Sequence, residues 1–550
     1  MRGDLSYRGA DVGPYGRTFE AEPTKGQGTM TTADVHQING SASHDPEALL
    51  VRVAIIGAGL SGIAAAVNLK RAGITDFVLL ERADDVGGVW RDNTYPGAGC
   101  DTPSHLYSYS FASNPDWKRS YSRQEQILDY QRRVVREEGL ADHLRLGQEV
   151  LDATWDDARQ RWRIKSTDLT VSAQVLLDCA GPLVEPSIPD IKGIGSFAGE
   201  LFHSARWDHD VDLTGKRVAV IGTGASAVQF VPEIQPRADR LLIFQRTAPW
   251  VSPKLDRHVG ELERRALRAV PVLSKALRAY QLAYRELGHY PVMRRRKAAK
   301  VAAEAVSRTM LRLQVKDPAL RERLTPDFDI GCKRILMSNS WYATLNRPNV
   351  DVVTDGIREI RPDAIVTADG LEFPVDVIVL GTGFHVFDAT IAQRVHGRDG
   401  RSLAQAWGTR PQVFRGTTVA GFPNMFRFAS VGSGLGHGSM IWQMEAQAAY
   451  VVDAIRTLDA QGKASAEVRP EAVESYIEDI TQDLQTSVWM GGGCRSWYMD
   501  DSGAPTVLWP RSMTAYRQMT RRFDPESYEL RDGSPAAAGA SGGRPAGVGA

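Results

Sequence analysis

Short apolar runs alternate with helical patterns along most of this chain. Residues 51–56 are apolar except for Arg52, as expected of a strand buried in a parallel sheet. The run leads into Gly57-Ala-Gly59-Leu-Ser-Gly62, then a helical pattern over 63–71, then a second run at 77–80 that ends in Glu81. The same order returns later: a run at 216–221, the loop Gly222-Thr-Gly224-Ala-Ser-Ala227, a helix, and a run at 241–244 followed by Gln245-Arg246-Thr247. Elsewhere the pattern predicts a helix over 123–138 and a hairpin near 156–161. It also predicts strands at 175–181 and 377–383 that end in glycine, helices over 262–270 and 298–313, and a long helix over 440–457.

The two glycine loops give this pattern a chemistry. A strand, G-x-G-x-x-G and a helix together offer free helix N–H groups and a partial positive charge to a pyrophosphate. Glu81 lies about 20 positions past the glycines, where an acid suits a ribose diol; its plainer alternative is a solvated strand end. In the second unit Ala227 replaces the third glycine, which the motif permits, and Arg246 stands where the first unit has Glu81. An acid there would repel a 2′-phosphate, whereas an arginine pairs with one. The first unit therefore reads as an FAD site and the second as an NADPH site.

The two glycine-ended strands mark where the chain crosses between domains. The expected fold is α/β, with two Rossmann-like dinucleotide-binding domains, the NADPH domain inserted into the FAD domain, and a helical subdomain. Its parts are a disordered leader over 1–48, FAD-domain segments at 49–185 and 385–533, an NADPH domain at 186–384 with a helical insert at about 256–325, and a disordered tail at 534–550. Met30 offers an alternative start.

Composition removes several function classes. Lys+Arg and Asp+Glu are both 66, which argues against nucleic acid as a main partner. The four cysteines, Cys100, Cys179, Cys332 and Cys494, are scattered with no close pair. That excludes a zinc knuckle or C-x-x-C dithiol, implies no metal site, and fits unpaired thiols in a reducing cytoplasm. No apolar run is long enough to span a bilayer. The cluster Arg294-Arg-Arg-Lys297 has two readings, a weak contact with anionic lipid and, more plainly, the solvated face of a helical cap over a pocket.

Between the glycine loops lies Phe197-Ala-Gly199-Glu-Leu-Phe-His203-Ser-Ala-Arg206-Trp207-Asp208, which fits F-x-G-x-x-x-H-x-x-x-W-[P/D] at every fixed position. Gly87-Gly88-Val-Trp90 through Tyr95-Pro96-Gly97 to Asp101 fits [A/G]-G-x-W-x-x-x-x-[F/Y]-P-[G/M]-x-x-x-D. Together with Gly331-Cys-Lys333-Arg334 and Cys494-Arg-Ser-Trp497-Tyr498, these resemble the Baeyer–Villiger monooxygenases, flavoenzymes that insert oxygen beside a ketone carbonyl.

The resemblance implies FAD and NADPH as cofactors, a small-molecule ketone and O2 as substrates, and an ester or lactone formed through a C4a-peroxyflavin. It implies Arg334 as the fixed cation and Asp101 as the residue that holds it. From residues alone, Asp101 also reads as the cap of a helix starting near Thr102-Pro103. The resemblance further implies that Gly88, Trp90 and Tyr107 lie along the flavin, that Lys333 and Thr247 approach NADP, and that Trp497 contacts NADP or substrate. Phe197, Gly199, His203, Trp207 and Asp208 would couple domain rotation to NADPH use. His437, in a glycine-rich helix entry, reads either as a ligand contact or as a helix cap. Trp341-Tyr342 departs from the family's Tyr-Tyr, which puts pocket shape in doubt. The alternatives are an N- or S-oxygenating flavin monooxygenase and, in another class, a non-catalytic FAD- and NADPH-binding redox sensor.

Overall fold

Leu49–Ile56 lies in the middle of an eight-stranded sheet in the computed structural model, which describes residues 48–386, 390–500 and 502–533. The expected leader and tail fall outside the described residues. Leu49–Ile56 pairs in parallel with Phe77–Leu80 on one side and with Thr170–Asp178 on the other. Thr170–Asp178 then serves two partners. Its first half closes an antiparallel meander with Arg161–Ser166 and Val150–Asp156, and its second half pairs in parallel with Met425–Arg427. Residues from both ends of the chain thus share one sheet. The helices Leu60–Arg71 and Met440–Ala460 cover one face, with Ala64, Val67, Val451 and Ile455 in a common core.

A second, wholly parallel sheet runs Val350–Val353, Arg240–Phe244, Arg217–Ile221, Val377–Leu380 and Glu200–His203. The chain enters and leaves this sheet along neighbouring paths. Ser187 N donates to the Gly383 carbonyl at 2.9 Å, and His385 N to that of Glu185 at 2.9 Å. The architecture is therefore two Rossmann-like units, one inserted in the other. A set of helices follows the second unit's early strands: Glu261–Ala269, Pro271–Tyr284, a π-helical turn Arg285–His289, Tyr290–Met293 and Lys297–Gln314. Pro271 starts its helix at the first turn, where a missing N–H costs nothing.

Three expectations need correction. No helix begins at Thr102-Pro103, where the chain forms turns, so Asp101 caps nothing. Ser439, not His437, holds the N-cap position of the helix at 440. The cysteines are not all unpaired: Cys332 and Cys494, separated by 162 residues, form a disulfide. Spacing along the chain gave no hint of that pair because the fold, not a local motif, brings them together. Cys100 and Cys179 are free and buried. Among the described residues, no helix is long and apolar enough to cross a membrane and no group of three or more His, Cys, Asp or Glu is arranged to hold a metal ion.

Candidate active site

Arg334 and Asp101, 233 residues apart, meet in a two-point contact. Arg334 Nε donates to Asp101 Oδ2 and Nη2 to Oδ1, both at 2.7 Å. This fork geometry fixes both side chains as well as pairing their charges. The two side chains remain 35% and 21% accessible, so the pair faces open space on one side. Burial pushes the Asp101 carboxyl up, but the Arg334, Arg285 and Lys254 charges outweigh it and hold the pKa at about 2. Arg334 is pushed further up by Asp101. Both groups are thus ionised at any working pH.

Arg285 was not among the expected site residues. It is buried in the π-helical turn, and its Nη2 donates to the Asp101 main-chain carbonyl at 2.8 Å. Asp101 is therefore held by a different arginine at each end. A π-turn inside a helix is uncommon and recurs at functional sites. Spacing puts Ser274, Arg278 and Arg285 on one helical face, but only the fold shows that this polar face is the inward one. Arg278 Nη1 donates to the carbonyls of His105 and Leu106 at 3.1 and 3.2 Å, in the loop after Asp101.

The residues expected along a flavin lie near the first glycine loop. The helix Leu60–Arg71 starts at Gly59 without a side-chain cap. Gly88 faces Gly59 so closely that a Cβ on Gly88 would lie 3.2 Å from the Gly59 Cα. Two glycines thus leave a bare backbone floor at a helix N-terminus, which fits a pyrophosphate. Glu81 is buried and accepts from Ala58 N at 2.8 Å and Ala83 N at 3.0 Å, with Arg91 at 3.1 Å. Its carboxylate braces the loop itself. Trp90 Nε1 donates to the Tyr107 hydroxyl at 3.0 Å. Burial raises the Tyr107 pKa, so the phenol stays protonated.

On the other unit, Ala225–Ile234 begins at Gly224, also without a side-chain cap. Gly222 opens this loop, Ala227 is buried behind it, and Thr223 Oγ1 donates to the Thr247 carbonyl at 3.3 Å. Arg246 is exposed. Burial and then the nearby Arg246 charge lower the Lys333 pKa. Two like charges facing each other with little compensation fit a phosphate dianion. Lys333 and Arg334 are neighbours, so one short segment stands beside both Arg246 and Asp101.

Cys332 precedes that segment and Cys494 precedes Trp497, so the disulfide ties the two together. Trp497 is 46% exposed and packs on the buried Tyr498 at 4.4 Å. His437 is buried without a hydrogen bond to either ring nitrogen, with Glu286 3.9 Å away.

The 197–208 stretch does not touch the acting pair. His203 ends the edge strand opposite Leu380 and packs edge-on against Phe384 where the chain leaves the second sheet. Its Nδ1 accepts from Ala205 N at 3.1 Å. Trp207 packs on Phe202 and Phe230, and Phe230 meets Tyr95 of the first unit at 6.0 Å. At Gly199 a Cβ would strike the Phe197 ring at 2.8 Å. Asp208, exposed, accepts from Asp210 N at 2.9 Å.

Residues 50–261 match the model of the flavin-binding monooxygenase-like family. A Streptomyces coelicolor protein named Baeyer-Villiger monooxygenase is 47% identical over 500 residues, 91% of this chain and 96% of its own. A Pseudomonas aeruginosa protein of the same name is 41% identical over 512 residues, again 91% and 96%. Among solved structures, OTEMO in complex with FAD and NADP aligns with a TM-score of 0.80 at 27% identity, covering 88% of this chain and 100% of that one. An oxidized steroid monooxygenase bound to NADP aligns at 0.76 and 31% identity, with the same coverage.

Proposed function

The chain belongs to the Baeyer–Villiger monooxygenases, within the flavin-binding monooxygenase-like family, and from that premise we propose that it converts a ketone to an ester or lactone at the Asp101–Arg334 pair. Its cofactors are FAD and NADPH. The observation that carries the proposal is the two-point contact at 2.7 Å, open on one side and backed by Arg285.

When bound, FAD supplies the redox chemistry: it takes electrons from NADPH and delivers them to O2. The protein's part is position and charge. Gly59 and Gly88 form the floor for the flavin pyrophosphate, with Gly57 and Gly62 shaping the turn and Glu81 bracing it. Trp90 and Tyr107, hydrogen-bonded to each other, would lie along the flavin. Arg246 and Lys333 would hold the 2′-phosphate, with Thr247 beside them, and Trp497 would contact NADP or substrate. Arg334 keeps a permanent positive charge where negative charge develops on oxygen, and Asp101 fixes its direction. A preorganised charge of this kind needs no rearrangement during reaction. In the same reading residues 49–185 with 385–533 hold FAD and 186–384 hold NADPH.

The test uses the loaded enzyme with a panel of linear and cyclic ketones. Arg334→Ala should lower ester formation by about 10²- to 10³-fold, while anaerobic bleaching of the flavin by NADPH continues. Ester formation at the wild-type rate would remove Arg334 from its role.

A further inference from the structure

The helical insert buries Leu267, Met293, Met310 and Leu311 in the core, yet one of its helices turns an apolar stripe outward. Along Pro271–Tyr284 and the following turn, Leu273, Tyr280, Tyr284 and Leu287 recur at helical spacing on the outer face, 44%, 67%, 41% and 78% exposed. Leu262 on the preceding helix is 81% exposed. A surface helix normally turns its apolar stripe inward, yet here Ser274, Arg278 and Arg285 point in. On Lys297–Gln314, Val306 and Leu313 are likewise exposed, at 52% and 67%.

Charge is just as uneven. Residues 261–314 hold thirteen Lys and Arg against four Asp and Glu, although the whole chain balances at 66 and 66. Among the described residues, Lys275, Arg296, Lys297 and Arg312 are exposed and make no ion pair. An insert that exposes leucine and tyrosine and also unpaired cations offers what an anionic bilayer surface receives: apolar groups enter the headgroup boundary and cations meet lipid phosphates. A second copy fits poorly, because a two-fold contact would press this net-positive face against itself.

We propose that the insert is a docking surface for anionic membrane and admits membrane-dissolved ketones to the site. The helix that carries the stripe outside reaches the site inside, through Arg285 on the Asp101 carbonyl and Arg278 on the His105 and Leu106 carbonyls. Docking therefore puts the wall of the site against the lipid. This last step rests on the ketone reading; the docking itself does not.

The full FAD-loaded chain is floated with vesicles of phosphatidylcholine alone and of an equal phosphatidylcholine–phosphatidylglycerol mixture, at low and high salt. Binding should favour the anionic vesicles and fall as salt rises. Leu273→Glu with Leu287→Glu should weaken it at least about tenfold, Lys297→Glu with Arg312→Glu should weaken it as well, and Leu371→Glu, an exposed leucine elsewhere, should not. The leucine double variant should keep its turnover of a short water-soluble ketone and lose turnover of a long-chain ketone carried in vesicles. No flotation, or flotation untouched by the leucine double variant, overturns the proposal. A dimer in sedimentation velocity that those substitutions dissolve, without vesicle binding, overturns it in favour of a subunit interface. Vesicle binding without turnover of any ketone supports the docking surface and sinks the ketone reading instead.

Discussion

The loops at Gly57 and Gly222 begin alike. Both glycines take positive φ, 94° and 107°. At both, a Cβ would run into a carbonyl of the adjacent strand end, Cys179 in the first loop and Gly381 in the second. They part at the third motif position and at the end of the next strand. In the first, a Cβ on Gly62 would overlap the Gly57 carbonyl oxygen, and the buried Glu81 ties Ala58 and Ala83 back onto the loop. In the second, Ala227 fits with its Cβ, and Arg246 stands in solvent beside Lys333. One fold thus builds an enclosed site suited to a resident cofactor and an open one suited to a nucleotide that comes and goes.

The largest effect should come from breaking the enclosed loop. Gly62→Ala should destabilise the protein by about 3 kcal/mol or more and release FAD, read by thermal unfolding and flavin absorbance. The matching change in the open loop, Ala227→Gly, should cost only about 1 kcal/mol. Equal effects at the two positions would erase the distinction.

Next in size is the tether beside the open loop. Cys332→Ser with Cys494→Ser should cost about 2–4 kcal/mol, since the disulfide closes a long loop in the unfolded chain. The same substitutions should raise the KM for NADPH through Lys333 and leave FAD content alone. An unchanged KM would confine the disulfide to stability.

Both glycine loops and the motifs that hold Asp101 and Arg334 were readable because each is local, a few residues at fixed spacing. What the sequence could not give was long-range pairing. Asp101 and Arg334 are separated by 233 positions, and only the family resemblance joined them before the fold did. The Cys332–Cys494 bond was misread for the same reason. Arg285 carries no motif at all; it matters because a helix presents its polar side inward, and the hydrophobic pattern alone predicts the opposite orientation. The strands leading into the two glycine loops and those ending at Leu80 and Phe244 were placed to within about two residues; the two glycine-ended strands stop three residues before their glycines, and the first half of Thr170–Asp178 was not expected. That half continues an antiparallel meander that no turn signal after it announces.

Arg246→Ala should act on the open loop alone. Losing a charged hydrogen-bonding partner to a phosphate costs about 1.5–3 kcal/mol, seen as a fall in the NADPH-to-NADH ratio of kcat/KM with flavin content unchanged. An unaltered ratio would take the 2′-phosphate away from Arg246.

The smallest effect concerns the crossing beside the second unit, and its sign follows from burial. Burial lowers the His203 pKa from 6.5 to about 4, so the folded protein holds the ring neutral. Between those values the unfolded chain binds a proton that the native protein refuses. This contribution to stability is full above pH 6.5 and is lost as pH falls toward 4. His105 and His289 shift to about 4 for the same first cause and add to the slope. His203→Gln should therefore flatten the decline by about 1–2 kcal/mol without removing it, measured by urea unfolding at several values across that range. The Asp101–Arg334 pair responds lower still, because the Asp101 carboxyl, at about 2 against an ordinary 3.8, loses its charge only in stronger acid. Mild acid should thus loosen the crossing while the acting pair stays ionised, unless His203→Gln leaves the slope as it was.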